Sequence, residues 1–335
     1  MEDQSVLVSG KALTGFNGFS LSERVEYLKH YGTHSQSYSA MQPGMKYFDL
    51  PGVGFIGYKQ KFGVSFVLGD PICAPEHREH LVSQFLSKHP NTSFVQASED
   101  VAVMMHNRFG YHSTQFGIES YIDLTKWSLK GKKKQVLRTA LNQAEKRGIE
   151  VKESYAELRT KEISKAWLQT RKVSKKEINF LIRPMTMDYK EGSRSFYAYQ
   201  DGEPVGFIFF DPIYENNKIV SYVPNISRAC ASFKQGIWYT LMLHAMDVFK
   251  EEGIERIDLG LIPLAGLEEP ASHESNVLKG IMKFVYEKCN FLYNFKGLHF
   301  TKSRFRGDEF KIYYCHRRSL PTRDILGVLL LSNLL

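Results

Sequence analysis

Asp123-Leu-Thr-Lys-Trp-Ser-Leu-Lys-Gly-Lys-Lys-Lys-Gln-Val-Leu-Arg138 divides the chain into two stretches that read alike. Upstream, hydrophobic alternation and turn residues predict strands over 53–58, 62–68, 93–97 and 118–124, and helices over 75–88 and 100–109. Downstream the order starts again. Strands are expected over 149–153, 195–200, 205–210, 218–223, 256–259 and 310–316, with helices over 156–171 and 237–250. Asp201-Gly202 marks a tight hairpin turn, and Pro204 is tolerated because it opens its strand. Gly253 is placed to stop the helix before it. Two α/β halves joined near 125–148 are the economical architecture, and 335 residues are enough to give each a core.

The dividing stretch is also where charge concentrates. Between residues 126 and 147, eight cations (Lys126, Lys130, Lys132, Lys133, Lys134, Arg138, Lys146 and Arg147) face one acid, Glu145. A second cluster runs from 296 to 318, with seven cations against Asp308 and Glu309. The whole chain carries only +8, so the positive charge is localised and the remainder is acidic. Val136, Leu137, Ala140, Leu141 and Ala144 form one apolar helical stripe, leaving Lys133, Lys134, Arg138 and Asn142 near other faces; Gly148 would end the helix. A solvated surface is the ordinary account of such a helix. The sharper account is a grip on a phosphate backbone that weakens steeply with salt. Most of the aromatic side chains, 13% of the chain, are expected in the cores.

Several classes fall away. The composition is that of a globular protein, with 43% hydrophobic and 24% charged residues. Cys73, Cys230, Cys289 and Cys315 lie far apart with no CxxC pair, so reduced thiols are expected rather than a zinc ribbon or a disulfide scaffold. His77 and His80 stand at i and i+3 with no third ligand nearby, which a surface helix explains better than a metal. The start of the chain, Met1-Glu-Asp-Gln-Ser5, lacks a secretory pattern, and no apolar run reaches the ~18–20 residues that span a bilayer. The apolar tail from Ile325 to Leu335 is expected to dock on the core, with peripheral membrane contact as its alternative. A cytoplasmic protein, at most peripheral on the inner membrane face, is the expectation.

The 123–138 stretch, continued to Asn142 and Gly148, resembles the start of the C-terminal catalytic domain of phosphatidylglycerol lysyltransferases. Leu259-Gly-Leu-Ile-Pro-Leu-Ala-Gly266 is similar to that family's Leu-Gly-x-x-Pro-Leu-Ser-Gly. Tyr293-Asn-Phe-Lys-Gly-Leu-His-Phe-Thr-Lys-Ser-Arg-Phe305 resembles its Gly-Leu-Arg-x-x-Lys-x-Lys-Phe, and Gly69-Asp70-Pro71 and Trp167-Leu168 also fit. The resemblance implies an α/β (α+β) fold of two tandem acetyltransferase-like (GNAT-like) halves, mixed sheets flanked by helices. It divides the chain into an N-terminal half (1–125), a basic connecting helix (126–148), a C-terminal catalytic half (149–320) and the apolar tail (321–335). It implies transfer of an aminoacyl group from aminoacyl-tRNA, with no other cofactor and no metal, to a phosphatidylglycerol-like lipid or a small hydroxyl or amine acceptor. The membrane domain of the large family members has no counterpart in this sequence, which leaves the acceptor open.

The resemblance also assigns residues. The cations of the connecting stretch, Lys130, Lys132, Lys133, Lys134 and Arg138, with Asn142, become the expected tRNA contacts. An activated ester needs alignment, a stabilised oxyanion and an assisted leaving group. Arg228, Lys302 and Arg304 are the candidate cations. Asp211 could orient or deprotonate an amine, although a turn residue is its ordinary reading. The family's Asp-x-x-Arg element reads here Asn225-Ile-Ser-Arg228. Asn225 cannot act as a base, but it can position an acceptor or donate to an oxyanion. Phe233-Lys-Gln-Gly-Ile-Trp238 offers one glycine where acetyl-CoA enzymes of this fold carry two, which disfavours a CoA-dependent N-acyltransferase as the alternative. A non-catalytic RNA- or membrane-binding module is the other.

Overall fold

In the computed structural model, which describes residues 18–170, 175–185, 190–230, 236–288 and 294–335, the strands of both halves join into one mixed sheet. The N-terminal half runs α1 (Leu21–Tyr31), β1 (Lys46–Leu50), β2 (Gly54–Lys61), β3 (Val64–Leu68), β4 (Ile72–Cys73), α2 (Arg78–Lys88), β5 (Thr92–Ala97), α3 (Glu99–Phe109) and β6 (His112–Asp123). The connector contributes α4 (Gln135–Lys146). There follow β7 (Glu150–Glu153), α5 (Glu157–Thr170), β8 (Arg194–Gln200), β9 (Glu203–Glu215), β10 (Lys218–Ala229), α6 (Ile237–Glu251), β11 (Arg256–Asp258) and β12 (Ile262–Pro263). The chain closes with α7 (Asn276–Lys288), α8 (Phe295–Ser303), β13 (Asp308–His316) and α9 (Thr322–Leu331). The expected α/β class, a mixed sheet flanked by helices, is the one observed.

Strand order is β1-β2-β3-β5-β13-β6-β11-β10-β9-β8-β7, with β4 beside β2 and β12 beside β6. Two pairings depart from the linear reading. Strand β13, which the sequence places with the second half, inserts between β5 and β6 and runs antiparallel to both. Strand β6 then pairs with β11 through Asp123↔Arg256, Ile122↔Ile257 and Tyr121↔Asp258, so the halves share one sheet rather than keeping two. Strand patterning reveals which face of a strand is apolar but not which edge it pairs with.

Each half is covered on both faces. Helices α2 and α3 pack Leu81, Phe85 and Met105 against Tyr58, Phe94 and Cys315, while α7 and α9 set Leu278, Met282 and Val328 on Phe66, Val95 and Tyr314. In the second half α4 and α6 bring Leu137, Ala140 and Phe249 onto Phe196, Phe210 and Tyr222, and α5 places Ile163 against Tyr197 and Phe207. The tail is therefore a docked helix, with Gly327 so close to Phe66 that a Cβ there would lie 2.6 Å from the ring. Among the described residues no helix is long and apolar enough to cross a membrane.

Several local readings extend or shift. Helix α1 opens on a capping box in which the Glu23 N–H donates to Ser20 Oγ and the Ser20 N–H donates to Glu23 Oε2. The chain after α1 crosses to the second half, where the Tyr214 N–H donates to Gly32 O at 3.2 Å. Strand β9 continues through Asp211-Pro212 instead of ending at 210; β8 pairs only as far as Phe210, so Pro212 sits where that edge needs no N–H. The connector is not one helix: Gly131, at φ +100°, precedes a 3-10 turn over Lys132–Lys134, and α4 proper ends before Gly148 at φ +65°. Val136, placed in the buried stripe by its spacing, is exposed. Asp201 and Gly202 take the positive φ of the expected hairpin turn. Cys73, Cys230 and Cys315 are free thiols; Cys289, Arg171, Phe233 to Gln235, Tyr293 and the first five residues lie outside the described residues. His77 and His80 are both exposed at the start of α2.

Candidate functional site

Strands β9 and β10 bring three of the expected residues together. Asp211 is buried and saturated: Arg183 Nε donates to its Oδ1 at 2.5 Å and Asn225 Nδ2 to its Oδ2 at 2.6 Å. Burial pushes its carboxyl up, while Arg183 and then Asn225 pull it back down. Asp211 thus holds Asn225 in place rather than standing ready to take a proton from an amine. The departure at 225 gains a physical reason. An aspartate there would set a second carboxylate against the first, whereas an amide donates to it. Arg228, one bulge further along β10, is also buried and forms a forked pair with Glu177, whose Oε1 accepts from Nη1 at 2.6 Å. Its guanidinium lies 4.8 Å from the Trp167 ring centroid. The resemblance flagged Trp167 without giving it this role.

Lys302 lies at the junction of the halves. Its ammonium donates to Leu261 O at 2.9 Å, inside the Leu259–Gly266 motif. A Cβ on Gly260 would touch both Lys302 Nζ, at 3.5 Å, and the Pro224 carbonyl, at 3.6 Å, which places Lys302 beside the strand carrying Asn225. Burial pulls the Lys302 ammonium down to about 8, opposed by the charge of Glu119. Glu119, on β6, is fully buried; Ser35 Oγ donates to its Oε1 at 2.9 Å, and its Oε2 has no partner among the described residues. Burial raises its carboxyl, with His34 the largest opposing influence. His34 Nε2 is likewise buried and unpartnered. Asp258 completes the group, accepting from Ser221 Oγ at 2.5 Å and Arg256 Nε at 3.2 Å, its carboxyl also raised by burial. Gly69 is needed at φ +68°, and a Cβ there would come within 3.1 Å of His34 Nδ1. Tyr38, four residues after His34, has the Arg183 guanidinium 5.7 Å from its ring and links this group to Asp211.

The structure thus bonds Asn225 to Asp211, carries Arg228 further along the same strand and sets Lys302 beside that strand at Pro224, but sends Arg304 elsewhere. The Arg304 guanidinium stacks 3.6 Å from the Phe300 centroid, on the side of Tyr239. His34, Ser35, Glu119, Glu177, Arg183, Ser221 and Asp258 were not singled out by the sequence. Glu119 had no local signal: it alternates with Ile118 and Ile122 on the polar phase of β6, and only the covering of both sheet faces buries it.

The connector cations divide in two. Lys134 Nζ donates to Ser128 O at 2.7 Å and covers the Trp127 ring at 4.2 Å, and Arg138 Nη1 bonds Leu129 O and Gly131 O. These two brace the turn. Lys130, Lys132, Lys133 and Asn142 are exposed. A groove of about 310 Å³ beside α4 is lined by Glu145, His244 and Asp247, and acids there would repel a phosphate rather than seat one.

Residues 25–316 match the family model described as phosphatidylglycerol lysyltransferase, C-terminal. The chain belongs to that family. A phosphatidylglycerol lysyltransferase from Staphylococcus epidermidis is 26% identical over 279 residues, covering 78% of this chain and 32% of the relative. The chain therefore spans about a third of the length of the curated lysyltransferases it matches. Among solved structures, L-PGS from Bacillus licheniformis superposes with a TM-score of 0.78 at 22% identity, over 93% of this chain and 96% of that one. A C-terminal domain from Agrobacterium fabrum gives 0.75 at 20% identity, over 94% and 99%. This lysyltransferase-family chain shares their fold.

Proposed function

We propose that the protein transfers an aminoacyl group from aminoacyl-tRNA to a hydroxyl of a phosphatidylglycerol-like lipid, or to a small hydroxyl or amine acceptor. The observation that carries this reading is Lys302: a buried ammonium, pulled to about 8, bonded to Leu261 O in the family's own motif and opposed in that shift by the charge of Glu119. In the transfer, the acceptor oxygen bonds to the ester carbonyl carbon, the bond to the ribose oxygen breaks, and the acceptor proton ends on that oxygen. Lys302 in its charged form stabilises the oxyanion or protonates the leaving oxygen. Glu119, its carboxyl raised by burial, is suited to take the acceptor proton. Arg228 supplies a fixed, forked cation for a phosphate or carbonyl oxygen once Glu177 is displaced. No metal or further cofactor enters this scheme.

The direct test is to incubate the purified protein with labelled aminoacyl-tRNA and phosphatidylglycerol vesicles. Labelled lipid, abolished by ribonuclease, is expected. Ribonuclease-insensitive transfer from an acyl-CoA would instead establish the N-acyltransferase alternative. Arg228→Lys keeps the charge but loses the fork, and should cost ~10²-fold in transfer without unfolding. Wild-type rates in that variant would remove Arg228 from the site. For the donor, Lys130→Glu/Lys132→Glu/Lys133→Glu should weaken tRNA binding and lower the slope of log affinity against log salt by about two to three. An unchanged slope would return the connector to a solvated surface. Lys134→Glu should act differently, by loosening the 128–131 turn it braces.

A further inference from the structure

We infer that the outer face of α7, with the adjoining face of α8, docks on an anionic lipid bilayer. This rests on the transfer reading above and names the surface through which a lipid acceptor would be met. Helix α7 is apolar on two sides. Leu278 and Met282 point into the core with Val285 packed beside them, while Val277, Ile281 and Phe284 stand outside at 53%, 44% and 60% exposure. Their i, i+4, i+7 spacing makes them one continuous ridge rather than scattered surface residues. Phe300 on α8 adds a fourth exposed apolar side chain, at 52%.

Charge identifies the occupant. From 276 to 306 the sequence holds seven cations and one acid, Glu287. Lys279 and Lys283 are engaged by Glu274 and Glu269; Lys288 and Lys296, the latter hydrogen-bonded yet still solvent-facing, are exposed at the facing ends of α7 and α8. Lys296 lies against the Glu287 carbonyl, and Arg304 covers Phe300. An apolar ridge with a cationic rim fits an acidic headgroup layer, where each nearby Lys or Arg contributes on the order of 1 kcal/mol of attraction. A second copy of this chain would bring the same cations against themselves. Position supports the same partner. Phe300 faces outward while Lys302, two residues on, is buried at the junction, so α8 joins this surface to the candidate site. Helix α9 lies on the same face of the sheet as α7, and its exposed Leu326 sits beside Phe62, so the tail is no part of the ridge.

Flotation with phosphatidylcholine vesicles, with and without phosphatidylglycerol, tests the inference. The wild-type protein should float only with the anionic vesicles. Val277→Asp/Ile281→Asp/Phe284→Asp should reduce that binding ~10-fold or more with an unchanged melting temperature. Lys288→Glu/Lys296→Glu should weaken binding most at low salt, an independent check should the first variant fold poorly. Flotation equal to wild type in both variants overturns the inference. So does a ridge variant that converts a dimer to a monomer while still binding vesicles, since the face would then belong to a second copy. Transfer to dispersed short-chain phosphatidylglycerol separates this inference from the proposed function. A wild-type protein that floats but transfers to no acceptor fails as an enzyme and keeps the docking face. One that transfers but never floats keeps the activity and loses the face.

Discussion

Replacing Lys302 with methionine is expected to lower aminoacyl transfer ~10²–10³-fold while the protein still folds. Methionine keeps most of the lysine volume and removes the buried charge, so the loss reads out the ammonium rather than a cavity. The pH dependence provides a second measurement. If the charged form donates to the oxyanion or the leaving oxygen, wild-type transfer falls as pH rises through about 8. The same shift acts on stability with the opposite sign. Below about 8 Lys302 is charged in both states and its burial cost is fully present. Between about 8 and the ordinary value of 10.5 the unfolded chain binds more protons than the folded one, so stability from this group rises with pH. Lys302→Met should lack both the alkaline limb in rate and that rise in melting temperature. Full activity in the variant would remove Lys302 from the mechanism.

Asp211→Ala is expected to cost about 3–5 kcal/mol of stability, the scale for removing one partner of a buried ion pair. Arg183 and Asp211 are both buried, and their contact leaves Arg183 with no other acid partner among the contacts described. Removing the carboxylate strands a guanidinium in the interior and releases the Asn225 amide. Urea midpoints would measure the loss. Arg183→Met/Asp211→Leu should recover most of it, because two apolar side chains replace two compensated charges. A loss below about 1 kcal/mol in the single variant would mean water reaches the pair and that Asp211 can still titrate as a base.

The connector shows how far local pattern reaches. The 3.6-residue spacing of Leu137, Ala140 and Ala144 and the stop at Gly148 were legible, because helical amphipathicity is written over adjacent turns. The spacing also placed Val136 inside, and it is outside: after the 3-10 turn before Gln135 the buried stripe starts at Leu137, one residue later than the period suggests. The fate of the lysines was not legible at all. Lys132 and Lys134 are indistinguishable by spacing, and only the turn carbonyl at Ser128 and the Trp127 ring claim one of them.

The motifs behave similarly. Gly69, Gly260 and Gly266 hold positive φ, and a Cβ on Gly69 or Gly266 would also crowd His34 or Ile118, so each glycine recorded a backbone requirement without naming the neighbours around it. By itself the sequence determined the α/β class, most of the strands and the basic connector, while α1, β1, α7 and α8 went unread. Only the tertiary structure decided that β13 returns to lie between β5 and β6, and that the buried Glu119 comes under the charge of His34, Asp258 and Lys302 at the seam. Periodicity describes which face of a segment avoids water. Which distant edges pair, and which buried charges thereby compensate one another, follows from non-local packing that no stretch of the chain carries alone.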